Sequence, residues 1–135
     1  MLLRSATSFN GDISTWDVSS AVSLFQVFQG ATSFNRDISS WDVSSATRLD
    51  HMFWGATSFN QDISSWNPSS VDNMTRMFDG ATSFNQNLCA WGARIPPKEG
   101  EYNGVYNSFA DTNCPSESFP SWSSSTPGPF CHICT

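Results

Sequence analysis

Residues 31–45 read Ala-Thr-Ser-Phe-Asn-Arg-Asp-Ile-Ser-Ser-Trp-Asp-Val-Ser-Ser, and this stretch decides the architecture because it recurs. Ala-Thr-Ser-Phe-Asn stands at 6–10, 31–35, 56–60 and 81–85, always 25 residues apart. Trp16, Trp41, Trp66 and Trp91 keep the interval, as do Ile13, Ile38, Ile63 and Leu88. Phe28, Phe53 and Phe78 follow it too, and Gly30, Gly55 and Gly80 close the units. A fixed period of this length marks stacked repeats, in which each unit is too small to bury its apolar side chains alone. The units run 6–30, 31–55, 56–80 and, in part, 81–91. Counting back from Val27 and Phe28 lands on Leu2 and Leu3, so residues 1–5 read as the remnant of a preceding unit. The expectation is a chain that starts inside a unit, with any signal or anchor outside this segment. Residues 1–91 form the repeat region and 92–135 a C-terminal cap.

Within a unit the spacing changes partway. Ile13-x-x-Trp16-x-Val18 puts Trp and Val on one side of a short extended segment, and Ile38, Trp41 and Val43 repeat it. In the third unit Asn67-Pro68 replaces Asp-Val, which restricts that strand because proline lacks a ladder donor. Leu24, Val27 and Phe28 then stand at i, i+3, i+4, as do Leu49, Met52 and Phe53, and Met74, Met77 and Phe78. That spacing predicts a short helix, capped by the preceding serines and stopped by glycine. The expected fold is an α/β repeat: a right-handed solenoid with one short parallel strand and one short helix per unit.

Ile-x-x-Trp-x-Val resembles the Leu-x-x-Leu-x-Leu of leucine-rich repeats. The fuller unit, Phe-Asn-x-Asp-Ile-Ser-x-Trp-Asp-Val-Ser-Ser-Ala with a later Met-Phe-x-Gly-Ala, resembles the BspA-like surface-protein repeat of bacteria and some microalgae. The resemblance covers roughly 1–92 and implies a leucine-rich-repeat-like fold displayed at the cell surface. One departure stands out: Ala21, Ala46 and Val71 occupy the place of the asparagine that usually follows the third leucine. If the units share a buried polar ladder, it must come instead from Asn10, Asn35, Asn60 and Asn85.

Charged residues make up 13% of the chain, against roughly 25% in an average domain. Solubility therefore rests on hydroxyls and amides. A net charge of −6 disfavours nucleic acid and anionic lipid, both of which need a basic face. No run approaches the ~20 apolar residues of a membrane span. All four cysteines, Cys89, Cys114, Cys131 and Cys134, lie after the first three units, in the tail of the chain. An even count confined there points to disulfides and an oxidising compartment, with three pairings open. A zinc site from the four with His132 lacks a second close pair, and a redox-active Cys131-x-x-Cys134 lacks a helix N-terminus.

The candidate binding residues are Thr15, Asp17, Ser40, Asp42, Ser65 and Asn67, which point away from Trp and Val onto the open face of the units. Asp12, Asp37 and Asp62 form a second column. Carboxylate columns suit weak calcium binding, and equally the capping of local loops, which is the preferred reading. Trp54 replaces Gln29 and Asp79 of its column, so it either makes an exposed contact or tucks against its neighbour. Asn73-Met74-Thr75 is a glycosylation sequon. His51 and His132 have no evident nucleophile beside them, and no glycine loop for phosphate is present. These features lead to a monomeric, non-enzymatic surface or secreted module, without metal or cofactor, that binds protein or glycan through its strand face. A structural spacer and a divalent-cation-dependent binder are the alternatives.

Overall fold

A computed structural model of the chain describes residues 3–95, 103–116 and 130–134. The α/β solenoid expected from the spacing is not what forms. Among the described residues the helical elements are two single 3₁₀ turns, Cys89–Trp91 and Asn103–Val105, and there is no α-helix and no strand. Neither leucine-rich-repeat element is present in any unit. Each unit is instead a succession of tight turns.

The segment expected to be helical shows why. The Val27, Gln29 and Ala31 N–H groups donate to the Leu24, Gln26 and Phe28 carbonyls, closing consecutive four-residue turns. The N–H groups between them (Leu24, Gln26, Phe28, Gly30) leave the unit altogether and donate to Arg48, Asp50, Met52 and Trp54. The next unit repeats the scheme, Leu49, His51, Phe53 and Gly55 donating to Asn73, Thr75, Met77 and Asp79. Gln26 and Gly30 both have positive φ, 59° and 67°, as do His51, Gly55, Arg76 and Gly80. A helix cannot accommodate a left-handed residue every fourth position. Turns also return the chain at i+3, so they bury Leu24 and Phe28 with the spacing that reads as a helix.

The expected strand fails for a related reason. Trp16, Trp41 and Trp66 N–H groups close turns onto Ile13, Ile38 and Ile63, so they are spent inside the unit. The isolated parallel bridges between units, Ser23 to Arg48 and Arg48 to Asn73, lie at the other side of the unit. Pro68 costs nothing here: its carbonyl closes a turn from Val71 N–H, and no ladder donor is missed.

Unit stacks on unit through aromatic columns. Phe9, Phe34, Phe59 and Phe84 form one, with centroids 5.9 to 6.0 Å apart. Phe28, Phe53 and Phe78 form a second at 5.3 and 5.5 Å, and each packs on a ring of the first column at about 4 Å. Trp16 stacks on Trp41, and Trp66 on Trp91, at 6.4 Å. The indole N–H groups of Trp41, Trp66 and Trp91 donate to the Ile13, Ile38 and Ile63 carbonyls of the preceding unit. Nearly parallel rings at these distances are favourable offset stacks, and the indole bonds lock the register.

The stack ends by imitation of a further unit. Val105 to Asp111 repeat the turn scheme, and Arg76, Phe78 and Gly80 N–H groups donate to Tyr106, Ser108 and Ala110. Asn107 and Asp111 take the positive-φ positions. Phe109 stacks on Phe78 at 5.5 Å although it lies 31 residues on rather than 25. Phe130 sits edge-on over Trp91 at 6.4 Å, closing the tryptophan column. Two disulfides hold these parts, Cys89–Cys134 and Cys114–Cys131, and no free cysteine remains. At the other end Ser5 adopts φ 59° in the register of the unit-closing glycines, and its N–H donates to Gln29.

Phe53 touches both phenylalanine columns and is fully buried, so Phe53→Ala should cost about 3–5 kcal/mol in denaturant unfolding. Replacing Cys89 and Cys134 together by alanine opens a loop with sequence separation 45. It should cost up to about 4 kcal/mol by the same measurement.

Candidate functional site

The face singled out from sequence is exposed: Thr15, Asp17, Ser40, Asp42, Ser65 and Asn67 all point to solvent. Their backbone is held by side chains rather than by strand pairing. Asp17 and Asp42 accept from the N–H groups of Ser19 and Ser44, each at 3.0 Å, and Asn67 does so from Ser69 at 3.3 Å. Asp12, Asp37 and Asp62 do the same for Ser14, Ser39 and Ser64 at 2.8 to 3.0 Å. A carboxylate that accepts from a backbone N–H two residues on makes a local turn of its own, which is why Asp precedes Ser at these places.

Hydroxyls then tie one unit to the next along this face. Ser40 and Ser65 donate to the carbonyls of Ser14 and Ser39, both at 3.0 Å. Between the second and third units lies a shallow depression of about 380 Å³ lined by Asp37, Ser39, Ser40, Gln61, Asp62, Ser64 and Ser65. Beside it runs the asparagine ladder. Asn35, Asn60 and Asn85 N–H groups donate to the Oδ1 atoms of Asn10, Asn35 and Asn60 at 2.9 to 3.0 Å. Its last rung faces the cap, where His132 Nε2 lies 3.0 Å from Asn85 Oδ1 and donates in the Nε2–H tautomer. The ladder is largely exposed rather than buried, so it works as a stitched seam on the surface.

The electrostatics of the face follow from these bonds. The serine hydrogen bonds hold the Asp17 and Asp42 carboxyls below their ordinary range, side-chain donor first and backbone donor second. For Asp12 and Asp37 the backbone donor leads. Hydrogen bonds to the ionised form favour it, and the like charges of adjacent units raise these groups only weakly. No group of three or more His, Cys, Asp or Glu among the described residues is placed to hold a metal ion.

Trp54 does not belong to this face. It is half-buried on the turn side, with His51 edge-on at 5.3 Å and the Arg76 guanidinium 5.8 Å from its ring centre. Around it the repeat symmetry is broken in several places at once. Arg48 stacks over Phe25 at 4.4 Å and forks onto Asp50 through bonds of 3.0 and 2.8 Å. Asp50 is 3% exposed, and this paired contact is what makes its burial tolerable. Asp79 is pushed up by burial, with Arg76 at 3.5 Å opposing the shift. The sequence reading missed this cluster. Its signal was available in the run Arg48, Asp50, His51 and Trp54, all departures from the flanking units.

Asn73 is partly buried, its Oδ1 accepting from Thr75 N–H at 2.9 Å and its carbonyl from Leu49. Cys131 and Cys134 bond to different partners, so the Cys-x-x-Cys motif is not a disulfide of its own. No helix among the described residues is long and apolar enough to cross a membrane. A family model described as "Mycoplasma protein of unknown function, DUF285" matches residues 1–98. No curated protein and no solved structure matches the chain.

The lowered aspartates set the acid response. Their folded pKa lies below the unfolded 3.8, so their contribution is complete above the unfolded value and is lost as pH falls through the folded one. The melting temperature should be flat from neutrality to about pH 5 and fall below about pH 4. Asp17→Asn with Asp42→Asn should flatten that acid limb. Asp79→Asn should instead raise the neutral-pH melting temperature, because its raised carboxyl opposes folding when ionised.

Proposed function

The chain belongs to the DUF285 family, and we propose that it is a non-enzymatic interaction module, displayed or secreted, that binds protein or glycan through its hydroxyl- and carboxylate-lined face. The observation that carries the reading is that Thr15, Asp17, Ser40, Asp42, Ser65 and Asn67 are exposed while their backbone is held in fixed turns. A surface preorganised in this way loses little conformational entropy on binding. Two disulfides and the resemblance to BspA-like surface repeats support an extracellular setting, since such bonds persist where the compartment is oxidising. His51 is engaged by Phe25 and Trp54, and His132 by Asn85, which supports roles in packing rather than proton transfer.

A spacer role draws on the same bonds, because Asp12, Asp17, Asp37, Asp42 and Asp62 each already have a serine donor inside their own turn. The two readings separate on one comparison. Wild type and a variant carrying Asp17→Ala, Asp42→Ala and Asn67→Ala would be applied to a glycan array and to immobilised extracellular-matrix proteins. Binding by wild type, reduced at least tenfold in the variant at a temperature below the melting transition of both proteins, supports the module. Equal signals from both proteins, or none from either, would favour the spacer. Loss of wild-type binding on adding a calcium chelator would show a cation-dependent contact.

A further inference from the structure

Three features converge on one peptide bond of the first unit. Asn10 is followed by Gly11, whereas the other rungs of the ladder are followed by Arg36, Gln61 and Gln86. With no side chain at Gly11, nothing hinders approach of its nitrogen to the preceding side-chain amide; an added Cβ would lie 3.1 Å from the Phe9 ring. Among the described residues the Gly11 N–H has no acceptor. Secondly, the Arg36 guanidinium donates to the Asn10 backbone carbonyl at 2.7 Å. A cation on that oxygen stabilises the anion formed when the adjoining Gly11 N–H loses its proton. Thirdly, the Asn35 N–H donates to Asn10 Oδ1 at 3.0 Å, polarising the side-chain carbonyl that would be attacked.

The other rungs lack this combination. The backbone carbonyls of Asn35 and Asn60 accept from the neutral amides of Gln61 and Gln86, at 3.1 and 3.0 Å. Both are followed by a residue with a long side chain.

We propose that Asn10-Gly11 is a self-modification site, at which the folded stack promotes cyclisation and deamidation of Asn10. Hydroxide removes the Gly11 N–H proton, and the nitrogen forms a bond to Asn10 Cγ. The Cγ–N bond of the side-chain amide breaks, and the departing nitrogen takes up a proton and leaves as ammonia. Water then opens the five-membered imide at either carbonyl, giving aspartate or isoaspartate. No oxidant or reductant is consumed. Asn10 and Gly11 are exposed, so water and base reach them. Aspartate keeps the Oδ acceptor for Asn35 and places a further carboxylate two residues from Asp12, whereas isoaspartate lengthens the backbone by one methylene.

The test uses the whole folded protein at mildly alkaline pH, followed by denaturation, chymotrypsin digestion and mass spectrometry of the peptide 10–16. Asn103-Gly104, the same dipeptide in the cap, is the internal comparison. Arg36→Gln should slow conversion of Asn10 roughly fivefold, the difference between a charge-assisted and a neutral hydrogen bond. Arg36→Lys should restore most of the rate, and Gly11→Gln should stop it. Asn103 should convert equally in wild type and both Arg36 variants. In denaturant the wild type and Arg36→Gln should convert at one rate. The proposal is overturned if Asn10 stays intact while Asn103 converts, or if Arg36→Gln leaves the folded rate of Asn10 unchanged.

Discussion

Every unit of this protein leaves half of its turn-segment N–H groups unpaired, and only the next unit supplies the acceptors. Leu24, Gln26, Phe28 and Gly30 must find Arg48, Asp50, Met52 and Trp54, and the donation repeats up the stack. A buried amide without an acceptor is costly, so no unit is stable in isolation and the register cannot slip by a residue. The 25-residue period is the consequence. In the cap the interval lengthens, and there the turn scheme resumes with Phe109 over Phe78. Positive φ is the local cost of this arrangement. Glycine meets it at 30, 55 and 80, while Gln26, His51 and Arg76 adopt it because the hydrogen bonds to the next unit outweigh a strain of about 1–2 kcal/mol.

The two sides of the unit are joined differently, and that difference separates structure from candidate function. On the turn side the backbone itself bonds from unit to unit. On the Asp and Ser side, bonds within a unit run from serine N–H to carboxylate, and side chains of Trp, Asn, Ser, Gln and Arg bond from unit to unit. The carboxylates thereby hold the turns and remain exposed at the same time. On the turn side several departures from the repeat gather in the Phe25, Arg48, Asp50, His51 and Trp54 cluster, where a buried carboxylate is matched by one guanidinium fork.

Much was legible in the residues themselves. The period, the core columns of Phe and Trp, the asparagine ladder and the exposure of Asp17 and Asp42 all follow from matching positions, because identical residues in one register must meet their own copies. The disulfide state was legible in the clustering of four cysteines, but their pairing was not, since it depends on where the cap folds back. The helix and the strand were misread for a physical reason. Spacing at i, i+3 and i+4 reports only which side chains share a face, and consecutive turns produce the same face as a helix.

Sequence by itself therefore determined that 25-residue copies stack, which side chains form the columns and which remain in solvent. Tertiary structure alone decided the backbone of each copy. Whether a given N–H bonds within its own turn or to the next unit is set by how closely the neighbouring unit packs. That neighbour lies 25 residues away, beyond the reach of any local propensity.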